Sequence, residues 1–135
     1  IPRAMRVPVG ALRAAGPLQL SDLIVGIAEK GKLLPRARIV KGSALSALIE
    51  VMSGDPAQLA AARAVLEVLP AGSAEPVRRV LMAARTGSSD TILMNGAEVS
   101  TAELAPGRYT ASVVATLAGQ PVGRVSRVFE VVLAP

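Results

Sequence analysis

The chain has 135 residues, of which 51% are apolar, so it is long enough and hydrophobic enough to bury the core of one domain. It has one Phe, one Tyr and no Trp, so Val, Leu, Ile and Ala must build that core, and almost no aromatic ring is available to stack on nucleic-acid bases. The formal net charge of +5 comes from arginines dispersed between Arg3 and Arg127 without a tract, so we predict no nucleic-acid partner.

The first forty residues predict short extended segments and a linker. Residues 3–9 contain a proline that limits them to an edge strand or an extended arm. A Gly-Pro break follows, and then a second short extended segment over residues 18–25. Residues 28–43 are polar, basic and interrupted by Gly and Pro, which is typical of a linker or a long loop. We therefore divide the chain into N-terminal strands and linker over residues 1–40 and a β domain over residues 41–135.

The middle of the chain allows two interpretations. Residues 45–51 form a β-compatible run, and a Gly-Asp-Pro sequence ends it with turn chemistry. Asp55 as an N-cap, with Pro56 in the first helical position, favours a helix that continues to Leu69. The alternative is a turn followed by a strand over residues 62–69. In that strand Ala64, Leu66 and Val68 face inward, whereas Arg63 and Glu67 face outward.

The last third of the chain predicts hairpins. Residues 92–99 carry an Asn95-Gly96 pair, which is a hairpin signal when strands flank it. Residues 108–117 alternate between apolar and polar side chains, and residues 124–131 repeat this period-two pattern after a Gly-containing turn. We predict that these two segments are the strands of a second β-hairpin.

The sequence Leu104-Ala-Pro106-Gly107-Arg-Tyr109 leads into this second hairpin. Its spacing resembles the turn that enters a late strand of fibronectin type III and other immunoglobulin-like sandwiches. In those folds a tyrosine at the corner hydrogen-bonds back to the preceding backbone. The resemblance therefore implies a structural corner made by Leu104, Pro106, Gly107 and Tyr109.

A wider resemblance covers most of the chain. Residues 16–23, 49–51, 65–68, 106–114 and 119–131, in this order, are similar to the C-terminal region of large secreted bacterial proteins that carry a von Willebrand factor type A domain upstream. The resemblance favours strand over helix for the ambiguous segment. It implies an all-β, immunoglobulin-like antiparallel sandwich preceded by a short strand-and-linker segment. It carries no catalytic residues, and the Asp-x-Ser-x-Ser metal motif of the A domain is absent from this chain.

The side chains that carry chemistry are few. The chain has no His and no Cys, which excludes Ser-His-Asp and Cys-His catalysis and, in practice, zinc or copper sites. A glycine and lysine spacing typical of a phosphate-binding loop ends at Lys32, but Leu33 stands where that loop needs Ser or Thr, and Pro35 prevents the helix. We interpret the isolated aspartates as caps in turns and the strand glutamates as outward surface positions (Asp22, Asp55, Asp90; Glu50, Glu67, Glu130). We predict no enzyme activity, cofactor or metal.

These observations predict a non-catalytic structural or protein-binding module of a larger extracytoplasmic bacterial protein, secreted or periplasmic. Its expected partners are other domains of the same chain or another protein. We expect no membrane span, because no run of 18 apolar residues occurs. The chain begins with Ile1 rather than Met, which we interpret as a processed or excised segment. The alternative is a self-assembling subunit, a homo-oligomer whose N-terminal strand near residues 5–9 adds to the sheet of a neighbouring copy.

Overall fold

The computed structural model describes residues 13–15, 18–30, 32–88 and 91–135, and it is built almost entirely of β-strands. The strands before the single described helix are β1 (Arg13–Ala15), β2 (Leu18–Leu20), β3 (Ile24–Glu29), β4 (Lys32–Pro35), β5 (Arg38–Val40) and β6 (Ala44–Met52). Helix α1 (Pro56–Ala61) follows. The later strands are β7 (Ala62–Pro70), β8 (Arg78–Leu81), β9 (Ala83–Ser88), β10 (Thr91–Ser100), β11 (Gly107–Leu117) and β12 (Gln120–Val132). None of the described helices is long and apolar enough to cross a membrane.

The strands form two sheets that pack face to face. Sheet A has seven strands in the order β1-β2-β6-β10-β9, with β3 pairing β6 and β4. Sheet B has five strands in the order β5-β12-β11-β7-β8. All pairs are antiparallel except β5 with β12. The orders β6-β10-β9 and β12-β11-β7 are those of the two sheets of an immunoglobulin-like fold, and the predicted all-β sandwich is confirmed.

Alternating residues of both sheets fill the space between them. The buried side chains are mostly aliphatic, as the composition requires, and Tyr109 and Phe129 are the two rings among them. Sheet A contributes Leu18, Leu20, Val25, Leu45, Ala47, Ile49, Val51 and Met94, and sheet B contributes Ala64, Leu66, Val68, Ala111, Val113, Val125, Phe129 and Val131. The predicted hairpin of the last third is formed by β11 and β12, which pair along their whole shared length.

Strand β6 departs from simple alternation because both of its faces are buried. Seven consecutive residues, 45–51, have buried side chains. Glu50 faces outward from sheet A, as expected, but it is only 1% exposed, and the outward-facing Leu48 beside it is 3% exposed. The prediction that Glu50 is a surface position is therefore wrong. Alternation alone shows which face a side chain takes, and it does not show whether that face meets solvent.

The ambiguous segment after β6 combines both interpretations. Asp55 caps α1, its Oδ1 accepts a hydrogen bond from the Ala57 amide at 2.9 Å, and Pro56 is in the first turn. The helix ends at Ala61 and strand β7 begins at the next residue. Its side chains face as the strand interpretation predicts: those at 64, 66 and 68 are buried in the core. The capping signals correctly predicted where a helix begins. The helix has only about one and a half turns, however, and does not continue to Leu69.

The hairpin predicted at Asn95-Gly96 is wrong, because both residues lie inside strand β10. Gly96 faces the opposite sheet, and a Cβ atom there would lie 2.9 Å from Cδ2 of Leu66. The register with β6 also shifts between Gly96 and Val99, as at a β-bulge. Glycine is needed here for a close approach of two sheets rather than for a turn.

The linker predicted over residues 28–43 is wrong for most of its length. Strand β4 pairs with β3, and β5 lies parallel to β12 with Ile39 in the core. A three-residue strand between charged residues has too short a pattern to be recognised, and its pairing partner is far away in the sequence. Each of the two sheets therefore contains strands from before residue 41 together with strands from after it. The domain boundary at residue 40 stays a prediction from the sequence, and the predicted strand near residues 5–9 lies outside the described residues.

Candidate functional site

The predicted corner residues lie together where the chain enters β11. The Tyr109 hydroxyl donates a hydrogen bond to the Ala105 carbonyl oxygen at 2.6 Å, so it spans the corner from the strand back to the preceding loop. Its ring stacks on Phe129 with the centroids 5.7 Å apart. Leu104 is buried, Pro106 is exposed, and Gly107 has a positive φ of 148° that disfavours a side chain. With its ring in the core, Tyr109 holds this corner and offers no surface for a ligand.

The described residues contain no cluster of three or more His, Cys, Asp or Glu side chains that could hold a metal ion. The glycine of the apparent phosphate loop, Gly26, lies in strand β3 and not in a loop. A Cβ atom at Gly26 would collide with the carbonyl oxygen of Leu34 across the β3–β4 pair, so close strand pairing accounts for this glycine. Asp90 lies outside the described residues.

The most distinctive polar arrangement lies on the outer face of sheet B. Arg79, Glu67, Ser112 and Ser126 form one row across four strands, because each is the register partner of the next. Arg79 Nε lies 3.2 Å from Oε2 of Glu67, and Arg124 Nη1 lies 3.2 Å from Oε1. Each carboxylate oxygen therefore contacts a different guanidinium. We call Arg79, Glu67, Arg124, Ser112 and Ser126 the charged row.

Further hydrogen bonds join members of the charged row to one another. Arg124 Nη1 donates a hydrogen bond to Ser112 Oγ at 2.7 Å, and Ser126 Oγ donates to the same oxygen at 3.1 Å. The Glu67 side chain is only 10% exposed under the two arginines, whose side chains are 67% and 53% exposed. The prediction that Glu67 faces outward was right, although the arginines cover it. The row thus presents two oriented guanidinium groups to solvent.

Apolar side chains lie on either side of the charged row. On one side the register places Leu81, Val65 and Val114 next to each other, and on the other side it places Leu69, Thr110 and Val128. Leu81 is 67% exposed and Val128 is 56% exposed. Two exposed apolar side chains thus flank the charged row on the outer face of sheet B.

Arginine predominates on this outer face. Five arginines, at positions 38, 63, 79, 108 and 124, accompany two glutamates, Glu67 and Glu130. The second glutamate pairs with Arg38 at 3.4 Å. Sequence reasoning placed Arg63 and Glu67 outward but missed the convergence of Arg79 and Arg124 on Glu67. The alternation of each strand was the available signal, and the order of the strands in the sheet was the missing information.

The comparisons with known proteins are sparse. No family model and no curated protein matches the chain. One solved structure that is similar is Pseudomonas fluorescens alkylpurine DNA glycosylase AlkC bound to DNA containing an abasic site analog, with 16% sequence identity and a TM-score of 0.49. The match covers 87% of this chain and 31% of the glycosylase, so this chain spans less than a third of that protein.

The likeness to a DNA-bound protein contradicts the prediction that this chain has no nucleic-acid partner, and that exclusion is withdrawn. The prediction relied on the arginines being dispersed along the sequence. Arginines that are far apart in the sequence can lie close together in the fold, as they do on the outer face of sheet B. The exclusion is withdrawn, but the likeness assigns no partner to this chain.

Proposed function

We propose that this chain is a non-catalytic module of a larger extracytoplasmic bacterial protein and that it binds a protein partner through the outer face of sheet B. The observation that carries the proposal is the exposure of Leu81 and Val128 on either side of the charged row. The resemblance to the sandwich regions of secreted bacterial proteins supports the location and the modular context.

The geometry of the face suits protein recognition. Four antiparallel strands make a continuous platform, and the apolar side chains on it bury area when a partner covers them. Glu67 holds Arg79 and Arg124 in place before a partner arrives, so less side-chain entropy is lost on binding than with unrestrained arginines. Arginine is also enriched in protein interfaces.

The excess of arginine over glutamate on this face favours a partner with an acidic surface. That partner is either another domain of the same protein or a separate protein. The absence of His and Cys from the sequence further supports a binding role over a catalytic one.

The intact mass of the polypeptide in its native source tests the modular part of the proposal. We expect a mass well above the 13.8 kDa of this chain. A native mass close to 13.8 kDa would contradict the module and leave a small protein that acts alone.

Site-specific photo-crosslinking in the native full-length protein tests the binding face. A photoreactive side chain at position 128, and separately one at position 81, should crosslink to the same acidic segment of one partner. A photoreactive group at exposed Arg85, in edge strand β9 of the other sheet, is the matched control and should not reach that segment. Crosslinks that are as frequent from position 85 as from position 128, or none at all from 128 and 81, would contradict the assignment of this face.

A further inference from the structure

A cleft opens between the two sheets at the edge formed by β12. Strand β5 pairs with β12 only over residues 130–132, and within the described residues no other strand is hydrogen-bonded to the earlier part of β12 on that side. Arg127 lies on this uncovered part. It is the register partner of the buried Ala111, and along β12 it lies between the buried Val125 and Phe129. Arg127 therefore occupies a position on the inner face of the sandwich, where aliphatic residues are expected.

The cleft has a volume of about 260 Å³, and its walls are mostly apolar. Ile24 and Val25 of β3 form one wall, and Pro35 and Ala37 lie beside them. Arg36 and Arg127 also line the cleft, and each carries a guanidinium group. An apolar pocket with a few convergent polar groups is the usual form of a small-molecule or side-chain binding site.

Both arginines have most of their hydrogen-bonding capacity available. Arg127 Nη1 donates to the Leu23 carbonyl oxygen at 3.3 Å, and Arg36 Nη1 donates to the Pro35 carbonyl oxygen at 2.8 Å. A guanidinium has five N–H donors. Neither of these groups has an ion-pair partner in the described part of the chain, whereas Arg79 and Arg124 both contact Glu67. The cleft thus contains two positive charges that no carboxylate of the described residues neutralises.

The backbone around the cleft is held from both sheets. The Arg36 amide donates to the Val25 carbonyl oxygen at 3.0 Å, and the Glu130 amide donates to the Ala37 carbonyl oxygen at 2.9 Å. The segment that carries Arg36 is therefore fixed to sheet A on one side and to sheet B on the other. A site that exists before its ligand arrives loses less entropy on binding.

We propose that this cleft binds a carboxylate attached to a small apolar body. The planar guanidinium of Arg127 matches a carboxylate with two parallel hydrogen bonds, and Arg36 adds a second positive charge. Ile24, Val25 and Pro35 contact the apolar body. A volume of about 260 Å³ accommodates one amino-acid side chain or a small organic acid. The site lies at the edge of the sandwich and is independent of the binding face proposed above.

Methyl NMR of the whole chain, with benzoate as the probe, tests this proposal. We expect saturable shifts of the Ile24 and Val25 methyl signals and of the Arg127 Nε–H signal. Benzamide, which has the same shape without the charge, should bind at least about tenfold more weakly, because it cannot form the charge-assisted pair. Equal shifts with both probes, or shifts by benzoate that do not saturate, would overturn the proposal.

Two variants and one control locate the site. Arg127→Gln and Arg36→Gln should each weaken benzoate binding, with the larger loss, about tenfold, for Arg127. Arg85→Gln removes an exposed arginine from edge strand β9 and should leave the affinity unchanged. Equal loss in all three variants would mean that benzoate follows net charge only, which overturns the site. Arg36 and Arg127 are both exposed, so we expect both variants to fold, and Arg36→Gln tests the site independently of Arg127→Gln.

A capped peptide with a single glutamate distinguishes the two possible sources of the carboxylate. Tighter binding of the peptide than of benzoate would indicate an acidic side chain of a partner protein. Tighter binding of benzoate would indicate a free organic acid. Binding of neither would overturn the proposal.

Discussion

The outer faces of the two sheets differ although both belong to strands of one sandwich. On sheet A the outward-facing Leu48, Glu50 and Leu93 are buried. On sheet B the outward-facing Leu81 and Val128 are exposed, and arginines lie between them. Facing away from the core therefore does not mean facing solvent. The large exposed apolar side chains Leu81 and Val128 lie on sheet B, which is the face to which we assign the proposed partner.

The largest expected effect comes from deletion of residues 1–40. The deletion removes five buried aliphatic side chains that pack in the common core: Leu18, Leu20, Leu23, Val25 and Ile39. Burial of each contributes about 1.5–3 kcal/mol, so their combined loss is comparable to the whole stability of a domain. We expect residues 41–135 alone to lack cooperative unfolding, as measured by circular dichroism during urea titration. A cooperative transition of the truncated chain would instead support the domain division predicted from the sequence.

The same substitution on the two outer faces tests the comparison directly. Leu48→Ala on sheet A should lower the free energy of unfolding by about 2–5 kcal/mol, because it leaves a cavity at a buried site. Leu81→Ala on sheet B should change it by less than about 0.5 kcal/mol, because that side chain is already exposed. Urea denaturation measures both values. Similar losses for the two variants would show that the faces do not differ in burial.

A methyl group at Gly96 tests how closely the sheets approach. Gly96→Ala places Cβ 2.9 Å from Leu66 Cδ2, so one of the two must move, and we expect a loss of about 1–3 kcal/mol in unfolding free energy. Gly54→Ala is the control, because a Cβ there meets nothing within 4 Å. Thermal denaturation of the two variants should separate them. An unchanged stability of Gly96→Ala would mean that Leu66 adapts without cost.

The smallest effect is expected at the corner of sheet B. Tyr109→Phe keeps the ring on Phe129 and removes only the hydrogen bond to the Ala105 carbonyl oxygen. The loss should be about 1 kcal/mol, the typical net contribution of one hydrogen bond. Denaturation in urea measures it, and Tyr109→Leu should cost more because it also removes the stacking. Equal losses for the two variants would assign no stabilising role to the ring contact.

The sequence by itself determined the local features of this protein. Alternation over β11 and β12 identified the hairpin, and alternation over β7 identified its inward and outward side chains. The capping signals at Asp55 located the start of α1. These features depend on neighbours within a few residues, where side-chain periodicity and backbone hydrogen bonding act directly.

Only the tertiary structure decided the remaining features. Strand β5 exists because its three residues pair with β12, and Gly96 is a strand residue because sheet B lies against it. Arg79 and Arg124 contact Glu67 because their strands lie in one sheet, and Arg127 lines a cleft because β5 begins to pair with β12 only at Glu130. In each case the deciding contact joins residues that are far apart in the sequence. No local pattern encodes which strands become neighbours, since that depends on the joint burial of all their apolar faces.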